Sequence, residues 1–423
     1  MFDLATVYVM LRDSRKLAAA CKYAEIAVRE AENAKSAGTF GVGGLLIGND
    51  GKIYKIIRNT VIQGNSVHDP TAHVERQLVD WYFSKKREKK TKNLLLPPAN
   101  KTTIITSLDP CMMCSGAILA GGFNVIHISQ DSQTGTSCRG VGDFSTLPDG
   151  LEQRARETFS AFGVVGNRLF NGPPDSIFSG DEIDSKLDRR SVRAFSSSLK
   201  KIKGIINNHH GQSPDKLTDP KTLARSSRIF RLLKKYNSKV FSDGYLVDFD
   251  KPGINLGQIL VEKAKESHEK SGVFNSACLI DPFGNVLLSE AGAEDASPIR
   301  APFLELVRKY HRLLLEAGAE GSKHLAHLKY CKTVTMLGPG RDPKSLMEVG
   351  CFGSCIEGKL PKGEQMQYVI PQQGQDDLQN MLNNLPPLYS DVMRLKDAIH
   401  QVKDVQLQQF CTSKATLFAS GRT

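Results

Sequence analysis

The sequence predicts an α/β fold, a sheet with helices on its faces, present twice, and three observations predict it. The apolar pattern of residues 14–129 runs helix, strand–turn–strand, helix, strand, helix, strand, which sets two strand–helix crossovers beside a hairpin. A similar succession returns after residue 251. A chain of 423 residues with 40% hydrophobic and 24% charged residues has the make-up of folded globular domains, two or three at this length. No run of 18 apolar residues occurs, so no helical membrane span is expected. The opening MFDLATVYVMLRDSRK shows no basic leader and no small-residue cleavage site, and a cytoplasmic location is expected.

The elements follow in order. SRKLAAACKYAEIAVREAENAKSAG is rich in Ala, Glu and Lys and stops at Gly38, which predicts a helix over about 14–36. Val42 to Ile47 reads as a buried strand, Asn49–Gly51 as its turn and Lys52 to Ile57 as the returning strand. Pro70 and Thr71 suit a helix start, which puts His73 and Glu75 in a first turn. KTTIITSL is a β-branched strand that runs into DPCMMCSGAILAGG, a second helix entered through Pro110. NVIHIS is the next strand, followed by the polar loop QDSQTGTS.

Three regions are expected: 1–170, a connector over 171–250, and 251–423. The formal net charge is +11, and residues 191–240 hold 12 basic residues against 2 acidic ones. Such a stripe is either a footprint for a polyanion or a solvated helical face. Within the connector the Ser-rich RAFSSSLKK reads as loop, and KTLARSSRIFRLLKKYNSK as a basic amphipathic helix. Residues 251–423 repeat the framework of the first region. Pro298 falls on Pro70, Leu306 on Leu78, Tyr310 on Tyr82 and Pro339 on Pro110. In the same pairing His73 becomes Ala301, Glu75 becomes Phe303, Cys111 becomes Gly340 and Cys114 becomes Pro343, so the chemical positions are lost while the framework persists.

The nine cysteines are too sparse for a disulfide framework. Only Cys111 and Cys114 have CxxC spacing, and Cys351 and Cys355 read as buried thiols. His73-Val74-Glu75 and Pro110-Cys111-Met112-Met113-Cys114 each say little alone. Together, each opening a helix, they match the H-x-E…P-C-x-x-C signature of zinc deaminases. A catalytic zinc takes three protein ligands and keeps one position for water; His73, Cys111 and Cys114 supply three. Glu75 is then left to carry protons between water, a ring nitrogen and a departing amine. A structural zinc site would be closed by a fourth ligand, for which Cys138 is the nearest candidate, and a non-catalytic zinc scaffold is the further alternative.

At these residues the sequence resembles the cytidine deaminase-like superfamily, within it the tRNA adenosine deaminase and guanine deaminase branch. The resemblance covers about 14–145 and rests on FGVGGLLI, Asn59 in IIRNT, HDPTAHVE, LDPCMMCSGAI and the loop Asp131 to Gly135. It implies a three-layer αβα sandwich with a mixed five-stranded sheet and one Zn2+ in the N-terminal domain. It also implies a nucleobase or nucleoside substrate, purine before cytosine, free or in RNA or tRNA, with Asn59 bonding base or ribose and Pro110 flanking the base. Val74 stands where the branch has Ala, which adds bulk beside the base pocket. The family's habit of dimerising implies a homodimer, or a pseudo-dimer completed by the degenerate copy; no membrane partner is implied.

Overall fold

The computed structural model describes residues 4–88, 95–136, 144, 149–170, 172, 181–209, 213–336, 342–356, 359–369 and 375–419. The chain forms two compact units, Met1–Gly64 with Ala72–Ile202, and Asn65–Thr71 with Lys203–Thr423.

The first unit opens with α1 (Leu4–Ser36), followed by the hairpin β1 (Gly43–Gly48) and β2 (Ile53–Arg58). Then come α2 (Val74–Arg87), β3 (Thr102–Leu108), α3 (Met112–Gly121), β4 (Asn124–Ser129), α4 (Asp149–Thr158), β5 (Phe159–Ala161) and α5 (Ser185–His209), which belongs to this unit as far as Ile202. The sheet order is β2-β1-β3-β4-β5. β1 runs antiparallel to β2 and β3, and β3, β4 and β5 are parallel, so the sheet is mixed. One face carries α1, where Ala20, Ala24, Ala27 and Val28 pack on Leu45, Ile47, Ile105 and Ile126. Small residues let the helix come this close: a Cβ on Gly43 would lie 2.4 Å from the Ala31 nitrogen and 2.5 Å from the Ala27 carbonyl. Successive strand residues face opposite sides, and Gly44 does the same service for α2, where an added Cβ would meet Val74 Cγ1 at 2.8 Å.

The second unit contains α6 (Arg228–Tyr236), α7 (Gly253–Ser271), β6 (Ser276–Ile280), β7 (Val286–Ala291), α8 (Pro302–Gly321) and β8 (Lys332–Thr335). It continues with α9 (Pro343–Ile356), β9 (Met366–Tyr368), α10 (Gln375–Asn383), β10 (Ile399–Gln401) and α11 (Val405–Ala419). Its sheet order, β7-β6-β8-β9-β10, is the first unit's order over again. The pairing agrees in detail. Gly44 faces Thr106 in one sheet and Ala277 faces Thr335 in the other. The hairpin register slips between Leu46 and Ile47 in the first and between Leu279 and Ile280 in the second. Tyr82 donates to the Pro97 carbonyl at 2.6 Å, and Tyr310 to the Ala326 carbonyl at 2.6 Å. The fold is therefore the αβα sandwich with a mixed five-stranded sheet, present twice.

Two expectations change. Arg193 to Lys201 are not loop but lie inside α5, whose serines turn their hydroxyls to backbone: Ser197 and Ser198 bond carbonyls within the helix, and Ser191 reaches the Ser107 carbonyl. The first helix begins at Leu4, ten residues before the sequence pattern starts. Among the described residues no helix is long and apolar enough to cross a membrane. Cys138, Pro339 and Gly340 lie outside the described residues.

Candidate metal centre and active site

Both helices that follow β-structure on the α2 face begin at a candidate ligand. His73 is the N-cap of α2 (φ −70°, ψ 153°) and Cys111 the N-cap of α3 (φ −70°, ψ 170°); neither side chain caps its own helix. Cys114 sits in the first turn of α3. The N–H groups of that turn favour negative charge on sulfur, and the Cys114 N–H bonds the Cys111 sulfur. The ligand atoms of His73, Cys111 and Cys114 all lie within 4.8 Å of one another, and His73 Nδ1 is 3.5 Å from Cys111 Sγ. Among the described residues no other three His, Cys, Asp or Glu side chains gather so closely. The hydrogen bond from Cys114 and the nearby His73 imidazole hold the Cys111 thiol well below the usual cysteine range, while burial holds Cys114 well above it. Two sulfurs and one imidazole are a donor set that suits zinc, with one position left over.

Glu75, one residue into α2 beyond Val74, is buried. Thr106 on β3 donates to its Oε1 at 2.5 Å. Burial raises the Glu75 pKa, and the Thr106 hydrogen bond opposes that rise. The carboxyl thus lies beside the cluster without being one of its three members.

A loop fixes the far side of Cys111. Asp131 accepts from the Gln133 backbone at 2.9 Å and from Thr134, and Gly135 forms a β-bridge with Cys111. A Cβ on Gly135 would lie 2.2 Å from the Asp109 carboxylate, which explains the glycine. Thr136 donates its N–H at 3.1 Å and its hydroxyl at 2.9 Å to the Pro110 carbonyl, so the buried Pro110 is held by backbone and side chain together.

Asn59 follows β2 and is 2% exposed. Its Oδ1 accepts from Thr39 Oγ1 at 2.7 Å and from the Val61 N–H at 3.0 Å. Its Nδ2 donates to nothing among the described residues. Val74 is fully buried, and its Cγ1 occupies the space beside Gly44 on β1, 2.8 Å from where a Cβ on that glycine would lie. Thr39, Thr106 and Thr136, which hold Asn59, Glu75 and Pro110, are not apparent as site residues in the sequence. Only Thr106 left a signal, a hydroxyl at a fully buried strand position.

Residues 18–129 match the family of the cytidine and deoxycytidylate deaminase zinc-binding region. Over these residues the chain is similar to that family, and they include His73, Cys111 and Cys114. Among solved structures, the chain is similar to one from a study of A-to-I editing by tRNA:A34 deaminases at the wobble position of transfer RNA. The identity is 26% over 29% of this chain and 87% of that one, with a TM-score of 0.24. It is also similar to a mutant of NE0047 solved in complex with 8-azaguanine, at 15% identity over 42% of this chain and 83% of that one, with a TM-score of 0.26. No curated protein matches the chain.

Proposed function

We propose that the chain is a zinc-dependent hydrolase that replaces the exocyclic amine of a nucleobase with a carbonyl oxygen, a purine in preference to cytosine. The convergence of His73, Cys111 and Cys114 beside the buried carboxyl of Glu75 carries this reading. His73, Cys111 and Cys114 would hold one zinc, which when bound supplies a Lewis acid that makes water nucleophilic near neutral pH. Glu75 accepts a proton from the attacking water and returns protons to the ring nitrogen and to the departing amine. Thr106 fixes one carboxylate oxygen, and the other moves the proton. Asn59 is pinned through Oδ1, so its Nδ2 is the group that donates to a carbonyl oxygen or ring nitrogen of the substrate. Pro110, immobilised through its carbonyl, forms a wall against the base. The purine preference rests on the resemblance of HDPTAHVE and LDPCMMCSGAI to the tRNA adenosine deaminase and guanine deaminase branch.

The basic stretch 191–240 favours a second reading, a base within RNA or tRNA. Part of that charge is already engaged: Arg228, Lys235 and Lys239 pair with Glu320, Glu316 and Glu262. The small-molecule reading therefore stands first. An ammonia-release screen over adenine, guanine, cytosine and their nucleosides tests it, with release from a purine expected. Binding of the chain to tRNA at two salt concentrations tests the second, since phosphate contacts weaken steeply with salt. Release from none of the free bases or nucleosides, with salt-dependent tRNA binding, would reverse the order.

A further inference from the structure

The second unit holds a half-open cleft of about 890 Å³ lined by Phe249, Lys251, Tyr330, Lys332, Lys362 and Lys403 among others. That volume is in the range of small-molecule sites. The cleft lies at the N-terminal ends of the parallel strands: Lys332 is the first residue of β8, and Gln365 directly precedes β9. In the first unit the candidate metal centre lies past the C-terminal end of β3, so the cleft does not correspond to it.

The charges in the cleft are uneven. Lys332 is 3% exposed, unusual for a lysine. Its ammonium sits 4.7 Å from the Phe249 ring centre and donates to the Phe249 carbonyl. Its nearest carboxylate is Asp250, 3.8 Å away on a side chain that is 92% exposed, which screens the pair. Burial lowers the Lys332 pKa, a cost that a bound anion would offset. The other two acids are committed. Glu364 pairs with Lys403, and Asp404 accepts from the Gly253 N–H at 2.7 Å and the Leu407 N–H at 3.1 Å, serving the starts of α7 and α11. Lys251 and Lys362 form no ion pair among the described residues.

We infer that this cleft binds a phosphorylated small molecule of mononucleotide size. The phosphate is held by Lys332 with Lys251 and Lys362, and the organic part lies along Phe249 and Tyr330. A phosphate dianion rather than a carboxylate matches this set, because three ammonium groups offer more donors and charge than one carboxylate accepts.

Calorimetric titration of the full chain with AMP, GMP, CMP, UMP and inorganic phosphate tests the inference, at low and high salt. One of the nucleotides is expected to saturate one site more tightly than inorganic phosphate, with affinity falling as salt rises. The exposed double variant K251E/K362E should weaken that binding by about tenfold or more. Lys332→Met, close in volume, should weaken it as well. Cys111→Ala, which disables the first unit's candidate centre, should leave it intact, so failure here is separate from failure of the deaminase reading. Absence of saturable binding on the order of 10 mM ligand, binding unaffected by K251E/K362E, or binding lost with Cys111→Ala would each overturn it.

Discussion

Glu75 and Thr106 make the sharpest claims at the scale of single residues. Glu75→Gln keeps the shape of the side chain and removes its ability to take a proton. Ammonia release should fall by about 10²–10⁴-fold while metal content is retained; turnover near the wild-type rate would remove Glu75 from its role. Thr106→Val leaves Oε1 of a buried carboxyl without its donor, a loss of about 1–3 kcal/mol in stability. Turnover should fall with it, read in kcat rather than KM. Asn59→Ala should raise KM and also destabilise, because Thr39 and the Val61 N–H lose their shared acceptor. A rise in KM without loss of stability would mean that Oδ1 does not hold the loop.

At the scale of elements, the pair Gly43 and Gly44 lets β1 lie between α1 and α2. A Cβ on Gly44 would be 2.6 Å from the Ile105 carbonyl as well as 2.8 Å from Val74. Gly44→Ala should lower stability by about 1–3 kcal/mol, measured as a shift in denaturant midpoint. The accompanying Val74→Ala should recover part of the loss. No recovery would place the strain at the Ile105 backbone instead. The same pair shows what was legible in the sequence. A buried apolar run and the N-D-G turn marked β1 and β2, and proline marked the starts of α2 and α3. The two helix starts, in turn, marked where His73 and Cys111 meet. α5 was not legible, because serine-rich sequence reads as loop when nothing shows that the hydroxyls are bonded within the helix or to β3. Thr39 and Thr136 were hidden for a related reason: a threonine whose hydroxyl holds a distant side chain, as Thr39 holds Asn59, or a distant carbonyl, as Thr136 holds that of Pro110, looks like any other threonine until the chain is folded.

At the scale of the whole molecule, each unit buries a histidine. Burial pushes the pKa of His127 on β4 and of His327 down to about 3. An unfolded histidine binds its proton near pH 6.5, so below that pH the unfolded chain takes up protons that the folded chain refuses. Their contribution to stability is present above 6.5 and is lost as pH falls towards 3, by up to about 1.4 kcal/mol per pH unit for each. Urea midpoints at pH 7.5 and on the order of pH 5 should show this loss, and His127→Asn should reduce the slope by about one proton. A wild-type slope equal to the variant's would mean that His127 is protonated in the folded state.

The second unit keeps the strand order, the register slip and the buried tyrosine of the first, but has Ala301 at the N-cap position where the first has His73. Metal should therefore reside in the first unit. Elemental analysis of the purified chain tests this most directly. One zinc per chain is expected, lost when Cys111 and Cys114 are both replaced by alanine and retained in Glu75→Gln. Zinc that survives removal of both cysteines, or ammonia release from a preparation without zinc, would contradict it.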